Sequence, residues 1–516
     1  MIDPIRIDSR REVFWDDFLL EKVEADFRQA IPEKKEVVMV LDKPWEGNTC
    51  CYFHAFNDGE KFRMYYRGSH GLNYNDPKSY ICMITSKDGI KWERPALDIY
   101  KFNGEKTNVV LHEEKEGKTP VHNIDPKKYH PAGETPGFAD NFFVFMDENP
   151  GCPPGERFKA VAVGNDPSER TPRPGNWGWE YATLWGYTSA DGLSWEKMPS
   201  SPLIIKGGFD SLNTVRWDPL AKEYHLYYRD FHEDPNRPSG VVRDIRFSSS
   251  KDFIHWTDGI PLSYNDAPDD EMYTNGILPY YRAPHIMVGF PTRYIQREWE
   301  PMFDQLPNVE WRKHRSSINL RLGTALTDGF FMFSRDGVNF HRWDEPFLPP
   351  GPARRHNWVY GDGYQSWGLL ETPPEDPEAP GEISFFAGED YNSQSRVISL
   401  RRFTVRLDGF AYLHAARQPK TVVTKPLIFQ GKTLTLNMST GALGFVSVEF
   451  LDPDGSPISG YSGNDSYKLF GDDINLKAVF TRGKDTTPDL SSLAGKPVKI
   501  RFSLSEARLY AMQFLS

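Results

Sequence analysis

The amino-acid sequence predicts an all-β protein: a five-bladed β-propeller followed by a C-terminal β-sandwich. Three observations lead there. A short turn motif recurs five times, strand-like runs precede each copy, and the pattern changes after Arg417.

The motif reads Ser86-Lys-Asp-Gly-Ile-Lys-Trp92, Ser189-Ala-Asp-Gly-Leu-Ser-Trp195, Ser250-Lys-Asp-Phe-Ile-His-Trp256 and Ser334-Arg-Asp-Gly-Val-Asn-Phe340. A degraded copy reads Arg406-Leu-Asp-Gly-Phe-Ala-Tyr412. Asp-Gly makes a tight turn, because Gly accepts φ > 0 and Asp bonds its own backbone, and the aromatic four residues after the Asp can pack over it. Strand runs precede each copy: 48–57, 62–67 and 80–86; 141–147, 157–163 and 182–188; 212–217, 224–228 and 245–249; 273–280, 285–290 and 320–325; 364–370, 383–387 and 397–405. Three strands, a turn and an aromatic-bearing outer strand make a propeller blade. The insertions 103–137, 167–179 and 294–315 read as surface loops able to act as lids, with a short helix within 296–315.

After Arg417 the runs 433–438, 444–451, 475–481 and 497–504 alternate apolar and polar residues, with turn formers such as Pro453-Asp-Gly-Ser456 between them. This predicts a β-sandwich of about a hundred residues, a structural buttress without a chemical cluster. The expected division is residues 1–415 for the propeller, with 13–20 as an added strand at its rim or closure, and 416–516 for the sandwich.

Size and composition agree. The 516 residues exceed the roughly 250–300 at which one core stops growing. Aromatic residues make up 14%, with 41 Gly and 41 Pro, a mix suited to many short strands and turns. A net charge of −11 without a basic run argues against nucleic acid and anionic membranes as partners. No apolar run approaches the ~20 residues that span a bilayer. No apolar leader core opens the chain, so the sequence as it stands reads as cytoplasmic, and as periplasmic or secreted if a leader has been removed. Cys50, Cys51, Cys82 and Cys152 fit no zinc spacing and read as core thiols.

Propeller geometry then selects residues, since the first strand of every blade lines the axis and starts on one face. Glu46, Asp140, Asp210, Glu271 and Asp362 stand at or just before those starts, one acid per blade. Second strands end near Arg67, Asn165, Arg229-Asp230, Arg293 and Glu389-Asp390, and third strands begin near Arg243-Asp244 and Arg321. Clustered carboxylates raise some pKa values while arginines lower others, which suits glycoside hydrolysis by an acid and a second carboxylate. Glu271, after the turn at Pro268-Asp-Asp270, is the expected general acid. Asp210, after Gly207-Gly208, is the expected nucleophile or base. Asp230 and Asp244 would orient the pair. Arg67, Arg243 and Arg293, with Arg229, Arg246 and Arg282, would pair with carboxylates or grip a substrate carboxylate or sulfate. Asp140, Asp362 and Glu389 complete the expected substrate-binding set, and Trp367, with Trp45, Tyr66, Tyr273 and Tyr360, could stack on a sugar or serve the core.

With these residues in view, the layout resembles the five-bladed glycoside hydrolases of the invertase/inulinase and arabinanase/xylosidase families. The segments Pro44-Trp-Glu-Gly47, Phe62-Arg-Met-Tyr-Tyr-Arg-Gly68, Phe209-Asp-Ser211, Arg243-Asp-Ile-Arg246, and Tyr273-Thr-Asn275 through Arg282-Ala-Pro-His285 resemble an uncharacterised bacterial invertase-like group. The resemblance implies a glycosidase, exo-acting on a plant or algal type of oligosaccharide, with Glu46 as a reserve catalytic carboxylate because the first blade supplies one in those enzymes. The chain departs from the invertase pattern: Asn-Asp-Pro-Asn-Gly is absent, blade one carries Trp45-Glu-Gly-Asn48, and Arg229-Asp230 is followed by Phe231, so fructose is not implied. A non-catalytic sugar-binding propeller, and a lyase or phosphorylase with arginines around phosphate, are the alternatives. No cofactor or catalytic metal is expected; a structural Ca²⁺ on the acidic ring is compatible.

Overall fold

Short strands rich in Val, Ile, Tyr and Phe, broken by tight turns, fold into consecutive antiparallel meanders. The computed structural model describes residues 3–70, 79–112, 141–165, 182–237, 239–265, 267–395, 397–482 and 485–516. The chain is nearly all-β. The first meander comprises Cys51–Asn57, Phe62–Gly68 and Tyr80–Ser86, with Trp92–Glu93 and Val109–His112 both paired to its third strand. The second comprises Phe143–Met146, Phe158–Asn165, Ala182–Ser189 and Glu196–Lys197; the third comprises Thr214–Asp218, Glu223–Glu233, Val241–Ser250 and Ile260–Pro261. The fourth, Leu278–Tyr280, Ala283–Gly289, Met332–Ser334 and Phe340–Arg342, continues upward as a separate three-stranded sheet of Glu271–Met272, Thr292–Ile295 and Leu326–Gly329. The fifth takes Leu370–Thr372, Glu382–Glu389 and Ile398–Arg406, and adds Glu33–Leu41 from the N-terminal part of the chain as its outer strand.

Successive meanders are tied where their first strands meet. The Val144 amide donates to His54 Nε2 at 3.0 Å, Asn141 Nδ2 to the Phe209 carbonyl at 3.2 Å, Ser211 Oγ to the Tyr273 carbonyl at 2.8 Å and Trp367 Nε1 to the Ile277 carbonyl at 2.8 Å. The series closes because the Ala55 amide donates to the Trp367 carbonyl at 2.8 Å and the Trp367 amide to the Phe53 carbonyl at 2.9 Å. Only glycine fits beside this closure, since a Cβ on Gly368 would sit 1.9 Å from the Ala55 carbonyl oxygen. His54 is buried as a neutral ring, brought down to about 4 by desolvation against its hydrogen bond to the Tyr52 carbonyl.

The first four turn motifs do connect third to fourth strands. In the first, Ser86 Oγ accepts from the Gly89 amide at 2.9 Å and Asp88 Oδ1 from the Lys91 amide at 2.7 Å. Phe253 takes the glycine place at φ 67 and puts its ring in the core, against Tyr224 and Phe145. Tyr65 and Tyr227 reach forward to the Gly192 and Gly337 carbonyls at 3.0 and 2.9 Å, so each turn also staples the preceding sheet.

The fifth motif behaves differently. Its strand Ala411–Ala415 leaves the meander and joins a nine-stranded sheet with the C-terminal strands. Buried Asp408 becomes the knot between units, accepting from Arg11 Nη1 at 2.9 Å, Arg282 Nε at 2.8 Å, Tyr280 Oη at 2.6 Å and Asn437 Nδ2 at 3.0 Å.

Two long strands, Thr433–Leu451 and Lys499–Leu515, pair along their length and carry the C-terminal unit. Its core includes Phe429 stacked on Phe514 at 3.8 Å. The structure differs from expectation in what the N-terminal segment does: Glu12–Val13, Leu20–Val23 and Asp26–Gln29 pair within this sheet, and Ile5–Asp8 pairs with Leu427–Phe429. Residues 13–15 lie between two cores, Val13 and Trp15 facing the meanders and Phe14 the C-terminal unit. The run 320–325, read as a strand, is instead the helix Leu320–Thr324, begun where the Asn319 side chain accepts from the Arg321 amide. It follows the helix Val309–Ile318, both inserted between Thr292–Ile295 and Leu326–Gly329. The four cysteines are free, three of them buried.

Candidate active site

The chain brings a tyrosine and arginine cluster together from separate meanders. Tyr273 lies at its centre. Its hydroxyl hydrogen-bonds that of Tyr360, and its ring stacks on Tyr364 at 5.6 Å and lies 6.0 Å from Tyr294. Tyr391 flanks Tyr360 and Tyr364 at 6.0 and 5.8 Å. Tyr52 closes one side with a left-handed backbone, φ 60, and Asp390, Asn392 and Trp358 nearby in sequence to these tyrosines share that conformation at 69, 53 and 57. Each such residue costs on the order of 1–3 kcal/mol, strain of the kind stored where a site is shaped. Burial pushes the phenols of Tyr294, Tyr360, Tyr364 and Tyr391 up, so all stay neutral.

Two carboxylate–arginine pairs bring their guanidinium groups to Tyr273. Asp210, with its side chain 38% exposed, pairs with Arg229 at 3.3 Å. Arg229 lies 5.3 Å from the Tyr273 centroid. Glu271 is buried and pairs with Arg243, which lies 5.5 Å from Tyr273 and 4.5 Å from Tyr294. Glu271 reaches this place because Glu271–Met272 pairs with Tyr294 and Arg293 in antiparallel register. Arg67 lies over Tyr52 at 5.1 Å and donates to Tyr391 Oη at 3.4 Å.

The other expected residues are placed elsewhere. Glu46 is fully buried and saturated: it accepts from Tyr66 Oη at 2.6 Å, Arg94 Nε at 2.8 Å, Arg94 Nη2 at 2.9 Å and the Lys43 amide at 2.9 Å. Trp367 is a closure residue, its indole spent on the Ile277 carbonyl and its ring edge-on to Phe143. Glu389 is held below its ordinary range, burial being outweighed by Lys34 and Arg401. Asp230 pairs with Arg246 at 3.3 Å, and Asp244 accepts from the Ile245 amide at 2.7 Å and meets His232 Nδ1 at 3.2 Å. Burial pushes Asp244 up, while His232, opposed by burial, is raised by Asp269 at 3.0 Å and by Asp244. Arg293 grips Asp328 through two bonds of 3.0 and 2.8 Å. Asp362 is enclosed, with Oδ2 on the Val359 amide at 3.0 Å, and desolvation pushes it up to about 7. Arg282 serves Asp408, away from the cluster. Asp140 lies outside the described residues.

Sequence reasoning passed over Arg312 and Arg315, and the tyrosines Tyr52, Tyr294, Tyr364 and Tyr391. A signal for the arginines exists: residues 311–327 hold four Lys or Arg and no Asp or Glu, in a chain of net charge −11. Among the described residues no group of three or more His, Cys, Asp or Glu is placed to hold a metal ion.

No protein-family model and no curated protein sequence matches the chain. Among solved structures it is similar to a BT0996 complex with RGII, with TM-score 0.44 and 12% identity over 73% of this chain and 92% of that one. It is similar to an N-acetylgalactosamine deacetylase from F. plautii, with TM-score 0.43 and 11% identity over 74% and 96%. The Bombyx mori GH32 beta-fructofuranosidase BmSUC1 gives TM-score 0.38 and 9% identity over 93% and 95%. Likeness this distant leaves the chemistry to the residues themselves.

Proposed function

We propose that the chain is a five-bladed propeller enzyme, buttressed by a C-terminal sandwich, that cleaves a glycosidic bond of an oligosaccharide with Asp210 and Glu271. One observation carries the reading. Two carboxylates from consecutive meanders each hold an arginine against the same Tyr273 ring, at 5.3 and 5.5 Å. Neutral phenols, stacked rings and two carboxyl groups whose arginine partners share one tyrosine ring suit a sugar ring and its leaving oxygen. Glu271 is the proposed general acid and Asp210, the more exposed, the nucleophile or base. Arg243 meets Oε2 of Glu271, which leaves Oε1 as the oxygen that would carry the donated proton. Glu46 is reassigned as a structural carboxylate behind the first strand, since both its oxygens are already bonded.

The test is a glycoside panel with aryl leaving groups of graded acidity, run on wild type, D210N and E271Q. Each amide is expected to lower turnover by at least ~10² on poor leaving groups, the lower end of general acid–base contributions. E271Q recovers on activated leaving groups, which need no proton, and D210N does not. Near-normal turnover by both variants with folding intact refutes the assignment.

A further inference from the structure

Three buried or half-buried arginines, Arg312, Arg315 and Arg321, come from the helical insertion. Among the described residues none has a carboxylate within ion-pair distance. Arg312 is spent on backbone carbonyls of Pro307, Trp358 and Asn357, at 3.1, 2.5 and 2.6 Å. Arg315 donates to the Asn392 carbonyl at 2.7 Å. Burial, with the like charges of Arg312 and Arg321 against the partial compensation of Tyr391 and Tyr360, brings Arg315 down to about 10. Among the described residues Arg321 makes no side-chain hydrogen bond. Its guanidinium lies 4.8 Å from the Tyr360 centroid and 5.7 Å from that of Tyr294, and its Nε is shut off from solvent without a partner. The hydroxyls of Tyr294 and Tyr364 are also buried and without a hydrogen-bond partner among the described residues.

An unanswered guanidinium in a solvent-poor place is costly unless an anion meets it, and unmade hydrogen bonds of buried hydroxyls add to the cost. Elsewhere in the molecule the same problem is solved internally, as with Arg94 on Glu46 and Arg293 on Asp328. We propose that Arg321, with Arg315 behind it and the Tyr294 and Tyr364 hydroxyls beside it, forms a subsite for an oxyanion. The planar fork of Arg321 takes two oxygens of a carboxylate or sulfate, and the phenols donate to the rest. Stacked tyrosine faces around it match a sugar ring carrying that group, a uronide or a sulfated sugar. The identification of the anion as part of the substrate rests on the glycoside-cleaving reading of the neighbouring carboxylates.

The test reads binding rather than cleavage. Wild type, R321Q and R321K are titrated calorimetrically with matched acidic and neutral twins, methyl glucuronide against methyl glucoside and methyl galacturonide against methyl galactoside. Inorganic sulfate and phosphate are titrated separately. Wild type is expected to bind an acidic twin about 10- to 100-fold more tightly than its neutral counterpart, the span of a charged hydrogen-bond pair, with affinity falling as salt rises. R321Q erases the preference and R321K keeps part of it. Phosphate that binds at the same site and accelerates cleavage of a neutral glycoside supports the subsite and assigns its anion to free phosphate. Twins bound alike by wild type, with neither sulfate nor phosphate held, overturn the proposal whether or not R321Q folds; so does an R321Q protein that keeps the preference. An intact preference in a protein that cleaves no glycoside would sink the cleavage reading and leave the subsite standing.

Discussion

Arg243 and Arg321 lie against the same ring, Tyr294, at 4.5 and 5.7 Å, yet their charges are answered differently. Arg243 belongs to the strand Val241–Ser250 and pairs with Glu271 on the neighbouring meander. Arg321 belongs to the insertion and meets no carboxylate among the described residues. The difference follows from how each is delivered. Antiparallel register sets opposite charges side by side, as where Arg293 stands across from Asp328. An inserted helix enters that finished balance from outside and brings charge without a partner. The meanders therefore hold the carboxylates proposed to react in place, and the insertion brings the charge for which an anion is proposed.

The sharpest way to break this comparison is Arg243→Met. It strands Glu271, whose side chain is 8% exposed, and is expected to cost about 3–5 kcal/mol in denaturant unfolding, as breaking one side of a buried pair does. A loss under ~1 kcal/mol would show Glu271 to be solvated, and the two arginines would no longer differ in kind.

An effect of comparable size, spread over pH, comes from Asp362, the acid whose charge Arg312 senses. Its native pKa is about 7 against an ordinary value of 3.8. Below both values the native and unfolded states are equally protonated and nothing is lost. Between them the native state keeps a proton the unfolded chain has released, so stability falls as pH rises from about 4 to 7, then levels. Asp362→Asn removes that slope. An unchanged slope would place Asp362 in solvent contact and make it an available counter-ion for the insertion.

What the sequence made legible was local. Turn motifs with Ser, Asp and Gly at fixed spacing act through bonds of two or three residues' reach, and four of them sit between third and fourth strands. The strand Glu33–Leu41 was not readable, because its first half is charged and held by ion pairs, Glu36 to Arg402 at 3.0 Å among them, rather than by an alternating apolar face. For the site, strand starts leave side-chain direction open. Asp210 and Glu271 turn into the tyrosine cluster, whereas Glu46, at an equivalent start, turns back onto Arg94. Side-chain direction changes with a one-residue shift, which is within the error of reading a strand boundary. The tyrosines meet from 52, 273, 294, 360, 364 and 391, contacts of long sequence separation that no window reveals.

The mildest prediction separates stability from binding at the insertion. Arg321→Met keeps the side chain's length and its packing against Tyr360 while removing a charge with no carboxylate partner among the described residues. Replacing a paired arginine strands its carboxylate; replacing this one strands nothing. The anion-free protein is therefore expected to gain about 1–2 kcal/mol, less than the several kcal/mol of a fully buried ion because Arg321 keeps some solvent contact. The gain should shrink or reverse in sulfate, which stabilises only the protein that binds it, in proportion to ln(1 + [L]/Kd). The measurement is thermal unfolding of wild type and R321M at low ionic strength with and without sulfate, against sodium chloride of equal ionic strength to remove screening. A variant less stable than wild type in both conditions would mean that the Arg321 cation is already satisfied by the tyrosine faces. In that case the contrast with Arg243 would be one of partner type, ring against carboxylate, rather than of an answered against an unanswered charge.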